Sequence, residues 1–277
     1  MPSRSNVTPL KASTLAPLRA ASTSQRGEQL TGSRNEVWLC PGYDDTGRGV
    51  VLYIKPALGV RRVMIEALAA QVGQCMGLPC PAPYIVTVSP QHVGRPRGAK
   101  LVAFGSEQVG ARSLTYPILD SDLLIEALQR QKLVDPLVAF DEFIANPVRG
   151  PRDIVFTPEN GAIVIDHEGA MEAATRSDQA VTNWLADRVF EAMPDRERPA
   201  FLKRLRARVV ALHSARFGAA PSVVQFDQQG AALYNALIAF LERRLIHLDR
   251  LLSERVLPGQ AYLSSPNQDA PDGTADL

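Results

Sequence analysis

The chain has 277 residues, 45% of them hydrophobic, with 30 basic and 29 acidic side chains and a net charge of +1. That length suffices for one large domain or two lobes with real cores, while so even a charge balance excludes bulk electrostatic attraction to nucleic acid or an anionic membrane. Three cysteines, Cys40, Cys75 and Cys80, cannot all pair and lack tight metal-ligand spacing. With no apolar leader core and no membrane-length apolar run, the expected setting is a reducing cytoplasm.

Along the chain, residues 1–12 are polar and Pro/Ser-rich, and residues 258–277 are rich in Pro, Ser and Asp; both ends are expected to be disordered. Leu15–Ala21, Glu36–Cys40 and Val50–Ile54 read as strands, the last two joined by the turn-forming stretch Tyr43–Gly49. Ser22–Arg34 reads as a polar loop. Arg62–Met76 has helical apolar spacing and stops at Gly77, with Pro79 following. Tyr84–Val88 and Lys100–Gly105 are further strands. Helical patterns then take over at Asp122–Gln131, Pro136–Ala145, Asp178–Met193, Arg198–Phe217 and Gly230–Glu254. Strands followed by helices favour two lobes with separate cores.

The most informative stretch interrupts the helices. Ile154–Phe156 and Ala162–Ile165 flank Pro158-Glu159-Asn160-Gly161 and read as a hairpin. Asp153 stands at the mouth of its first strand and Asp166 at the end of its second. Two carboxylates so placed are able to share one divalent cation, as in sites that hold magnesium on nucleotide phosphates. Lys55 ends an apolar strand, where a long cation emerges into a cleft, and Glu66 follows on the next helix.

In order and spacing these features resemble the HipA-like kinase family in its compact form. Val51-Leu52-Tyr53-Ile54-Lys55 resembles the family's strand ending in the nucleotide-binding lysine. Met64–Ala69, followed by Gly77-Leu78-Pro79-Cys80-Pro81, resembles its helix with the ion-pairing glutamate and its GLPVP-like corner. Ile165-Asp166-His167 resembles its metal-binding Asp-His signature. The resemblance spans roughly residues 14–172. It implies an α+β, bilobal protein-kinase-like fold, with a strand-rich N-lobe over 13–105 and a helical C-lobe over 106–257 that carries the metal-binding hairpin. It further implies ATP and Mg as cofactors, with Lys55 and Glu66 at the phosphates, a hinge at Glu107 and Val109 facing the adenine, and Asp153 and Asp166 as metal ligands. Ser22–Arg34 becomes a candidate cover for the phosphates.

One departure decides how the chemistry is read. Where the family's catalytic loop reads approximately Asn-x-Asp-Arg-His-x-x-Asn, this chain has Asn146-Pro147-Val148-Arg149-Gly150-Pro151-Arg152-Asp153. Val148 occupies the catalytic aspartate's place and is unable to accept a proton; Asp153 replaces the metal-binding asparagine. Asp141 is the nearest other acid, and Arg149 and Arg152 are candidate phosphate contacts or solvated loop arginines. The expected function is therefore an ATP/Mg-binding protein of kinase fold, a Ser/Thr phosphotransferase with impaired chemistry. The alternatives are a pseudokinase acting through a protein partner and, as an outsider, a metal-dependent hydrolase using Asp153, Asp166 and His167. Nucleotide and an unidentified protein are the expected partners, without nucleic acid or membrane.

Overall fold

A computed structural model describes residues 15, 18–32, 35–110, 116–213 and 228–258. The expected disordered ends, apart from Pro258, lie outside the described residues, as does the end of the helix expected to reach Phe217. The architecture is mixed α+β: a six-stranded sheet, a three-stranded sheet and helices.

The first sheet contains β1 (Arg19–Thr23), β2 (Glu28–Leu30), β3 (Val37–Asp44), β4 (Gly49–Lys55), β5 (Pro83–Val88) and β6 (Leu101–Glu107). β1 pairs parallel to β5 on one side and antiparallel to the last residues of β3 on the other. The ladder β1-β5-β6-β4-β3 thereby closes on itself, and β2 continues along the same edge of β3 past the end of β1. At this seam a Cβ on Gly42 would lie 2.4 Å from the Ser22 carbonyl oxygen, so the position admits no side chain. Alternation along β4 explains which residues turn inward: Val50, Leu52 and Ile54 join Trp38, Cys40 and Tyr84 in one apolar cluster. Val51, Tyr53 and Lys55 point outward.

Helix α1 (Val60–Cys75) lies outside the closed sheet and is buried from Val63 to Gly73. It ends as expected: Gly77 takes a positive φ of 77° and the Leu78 N–H returns to the Gly73 carbonyl at 2.8 Å. A Cβ on Gly73 would fall 2.5 Å from the Cys80 sulfur. The Gly-Leu-Pro corner is pressed against the helix there, and both groups pack beside Phe140.

The rest comprises α2 (Ser121–Arg130), α3 (Val134–Phe143), α4 (Trp184–Ala192), α5 (Arg198–His213) and α6 (Gln228–Val256). A small sheet of β7 (Tyr116–Pro117), β8 (Ile154–Thr157) and β9 (Gly161–Val164) completes it. Asp120 caps α2 by accepting from the Asp122 and Leu123 amides. The larger apolar core runs without a break from α1 through α2, α3, α5 and α6 to β8 and β9. The two cores therefore divide at the wall of the closed sheet and not where strands give way to helices, and α1 belongs with the later helices.

Two segments differ from their sequence patterns. Ser22–Arg34 contains strand β2, and its amides at Ser24 and Gly27 are spent on the carbonyls of Pro41 and His92; they are not available to cover a phosphate. The helix expected from Asp178 starts at Trp184, capped by Asn183. Its first residues are pulled out of helical geometry by α6, whose arginines collect their carbonyls. Arg244 takes Gln179 at 2.7 Å, Arg250 takes Asp178 at 2.8 Å, and Arg255 takes Val181. No helix among the described residues is long and apolar enough to cross a membrane.

Arg244 is fully buried and ion-paired at 3.0 Å to the equally buried Glu142 of α3. Arg244→Ala leaves one oxygen of that buried carboxylate without its partner, Arg255 holding the other at 2.8 Å, and frees four carbonyls, those of Glu142, Arg176, Ser177 and Gln179. A loss of about 3–5 kcal/mol in unfolding free energy is expected by denaturant titration, against less than about 1 kcal/mol for breaking the exposed Arg206–Asp249 pair.

Candidate functional site

Lys55, the last residue of β4, points toward α1, and its ammonium meets three carboxylates. It is bonded to Glu66 of α1, to Asp166 Oδ1 at 2.7 Å and to Glu168 Oε2 at 3.3 Å. Glu66 is 1% exposed and Lys55 13%, while Asp166 keeps 33% of its side chain open to solvent. Burial disfavours the ammonium, but Glu66, Asp166 and Glu168 outweigh it and the lysine pKa is raised. Burial is the largest influence on Glu66 and raises its pKa despite Lys55. Ligand oxygens of Glu66, Asp166 and Glu168 all lie within 4.8 Å of one another.

The segment after β9 owes its shape to Asp166, which has a left-handed φ of 61°. Such a conformation is uncommon for a residue other than glycine. It sends Asp166 to Lys55 and turns the next residue inward. The His167 N–H donates to the second oxygen of Glu66 at 2.8 Å, so Glu66 is held from both sides. The His167 ring is buried edge-on to Phe140, 5.5 Å between centroids.

Beneath this lies a second, fully buried pair. Arg149 forks onto Asp141 of α3 with three contacts of 3.0–3.1 Å, donates to the Ile165 carbonyl at 2.7 Å and approaches His167 Nδ1 at 3.0 Å. A guanidinium only donates, so Nδ1 accepts and His167 is neutral, its pKa pushed well down by burial and then by Arg149 and Lys55. Arg149 is thus neither a solvated loop arginine nor a phosphate contact. Asp141 is engaged with it and has no access to a substrate hydroxyl, and the Nδ1 of His167 is spent on a structural bond.

Asp153 closes a short 3-10 turn (Pro151–Asp153) ahead of β8, and its Oδ2 accepts the Gly150 N–H at 2.8 Å. Its own carbonyl takes the Ile165 N–H at 2.9 Å, which fixes the start of β8 beside the end of β9. Burial raises its carboxyl pKa to about 6, with the charge of Asp166 adding to the effect. The acids that converge with Asp166 on one point are Glu66 and Glu168, however, and Asp153 is not among them. Val148 is 55% exposed, and its side chain lies where a Cβ on Gly169 would project, 2.2 Å away.

The expected hinge residues stand apart from this cluster. Glu107 ends β6 opposite Leu52, and its carboxylate is committed to Arg48 at 2.9 Å and Tyr84 at 3.1 Å. Arg48 holds its pKa below the usual range. The Glu107 amide goes to the Ala82 carbonyl and the Gln108 amide to that of Val51. Val109 follows, half-buried. Sequence reasoning missed Glu168 and its partner Asn35, whose side-chain amide donates to it at 2.8 Å. The only trace was the Asp166-His167-Glu168 spacing, which puts two acids on one side of an irregular segment.

The donors around Asp166 are all carboxylate oxygens, a set suited to a hard cation such as magnesium and not to a thiophilic metal. No family model matches the chain, and no curated protein matches it. Among solved structures it is distantly similar to the crystal structure of a Helicobacter pylori proinflammatory kinase, CtkA. The TM-score is 0.43 and the identity 10%, over 87% of this chain and 98% of that one. The functional reading rests on the site geometry.

A carboxyl with its pKa raised to about 6 binds its proton more tightly in the folded chain than in the unfolded one. Asp153 therefore favours folding at acidic pH, and that contribution is lost as pH rises from about 4 through about 6. Carboxyl NMR is expected to give a midpoint near 6 for Asp153, and Asp153→Asn to flatten this part of the stability–pH curve.

Proposed function

We propose that the chain binds ATP with magnesium as a HipA-like protein of bilobal kinase fold, and that its phosphoryl transfer is impaired. The observation that carries this reading is the convergence of Lys55, Glu66 and Asp166. A strand-end lysine, a helix glutamate and an aspartate 111 residues beyond that lysine meet in one ion cluster. Lys55 supplies the positive charge for phosphate oxygens, and Glu66, gripped by the His167 amide, keeps that ammonium in place. Asp166 would hold the cation on its exposed side, and Asp153, which lies outside the converging carboxylates but feels the charge of Asp166, is the proposed second ligand. Bound magnesium would offset phosphate charge there. The carbonyl of Glu107, whose N–H is taken by Ala82, and the backbone of Val109 just beyond β6 are the proposed contacts to the adenine.

The impairment lies at Val148. Its side chain offers no proton acceptor, and the nearest acid of the preceding helix, Asp141, is locked to Arg149. Positioning of phosphate is retained in this arrangement, whereas orientation of an attacking hydroxyl is not. A pseudokinase that signals nucleotide occupancy to a protein partner is favoured by the same observation. The hydrolase alternative loses support because His167 Nδ1 is engaged by Arg149.

Two measurements test this. Asp166→Asn keeps an acceptor for Lys55 but removes the charge that a cation needs, so magnesium-dependent ATP binding in calorimetry should fall to background. Unchanged binding would reduce Asp166 to a structural acid. Val148→Asp places a carboxylate at a solvent-exposed loop position, at small cost in stability. ATP turnover or autophosphorylation is expected to rise, by up to roughly 10²–10⁴-fold if the base is the sole defect. Robust transfer by the natural sequence would refute the impairment.

A further inference from the structure

We propose that Glu168 gates the Lys55 site: phosphate reaches the ammonium by displacing this carboxylate, which makes nucleotide affinity strongly dependent on a divalent cation. The inference rests on the nucleotide reading above. An ammonium has three N–H donors, and here each faces a carboxylate, those of Glu66, Asp166 and Glu168. A phosphate oxygen therefore binds Lys55 only by replacing one of them.

The three are unequal. Glu66 is buried, and its other oxygen holds the His167 N–H. Asp166 is the acid assigned to the cation. Glu168 makes the longest of the three contacts, 3.3 Å, and its second oxygen takes the Asn35 side-chain amide at 2.8 Å. Asn35 lies on the connection between β2 and β3, so Glu168 spans from that connection to Lys55 across the cluster. Like Asp166 it lies outside helix and strand, and two side chains hold it, the Lys55 contact being the longer of the two. Its charge stands beside the ammonium that a phosphate would use and repels that phosphate unless a cation compensates. Glu168 is a positioning residue in this scheme: it sets the order of events without touching the reacting atoms.

Calorimetric titration of ATP into the full chain, once with excess Mg2+ and once in EDTA, tests the gate. Glu168→Gln and Glu168→Ala are expected to bind ATP in EDTA roughly tenfold more tightly than the natural sequence. Asn35→Ala, which loses the tether but keeps the charge, is expected to show a smaller gain. Thermal melts of each variant establish that it is folded. If the natural chain binds ATP with Mg2+ but neither Glu168 variant gains affinity in EDTA, the gate is overturned and the nucleotide reading stands. If the natural chain fails to bind ATP with Mg2+, the nucleotide reading falls and the gate falls with it.

Discussion

Everything at this site turns on one ammonium group. Lys55 brings together a strand of the closed sheet, the helix packed against that sheet and the segment leaving the small hairpin. Without it, Glu66, Asp166 and Glu168 would stand as like charges within one small volume, and Glu66 would do so almost wholly out of water. Burying an unpaired carboxylate is costly enough to reshape a site or protonate it. The lysine is therefore a structural neutraliser first and a ligand contact second, and a lysine that is replaced should be judged on both counts.

A second ion pair makes the first one possible. Arg149 and Asp141, fully buried beneath the cluster, fix the carbonyl of Ile165 and the ring of His167. Those two residues flank Asp166. Its left-handed backbone, unfavourable by itself, is held in place by its neighbours on either side: Arg149 and the Asp153 carbonyl on one, Arg149 and Glu66 on the other. The layering is that of a support and a working face, with charge satisfied in the support so that the working face keeps its half-buried acids, Asp166 and Glu168.

Much of this was legible in the chain itself, where the physics is local. The apolar run Val50–Ile54 gave β4 with Lys55 at its end, helical spacing with Gly77 and Pro79 gave α1 and its end, and Pro158–Gly161 gave the hairpin. What stayed hidden depends on partners far away. Arg149 sits in a Pro/Gly-rich loop with no local mark of burial, and only the fold brings α3 beneath it. Residues 178–183 carry a helical pattern, yet arginines more than sixty positions later claim their carbonyls. The short, weakly apolar β1 gives no hint that it closes a ring of strands, and β2 lies in a stretch that reads as polar loop.

The closure by β1 sets an order of assembly. Its parallel partner β5 lies some sixty-five residues downstream, as Arg19 pairs with Tyr84. During synthesis the ring of strands stays open until that partner has emerged, and non-local pairings of this kind are slow to form. Lys55 and Glu66 are both made before closure and are able to pair early. Asp166 and Glu168 arrive about a hundred residues later. A Lys55–Glu66 pair formed at that stage is neutral, and the excess negative charge of the finished site comes only with Asp166 and Glu168.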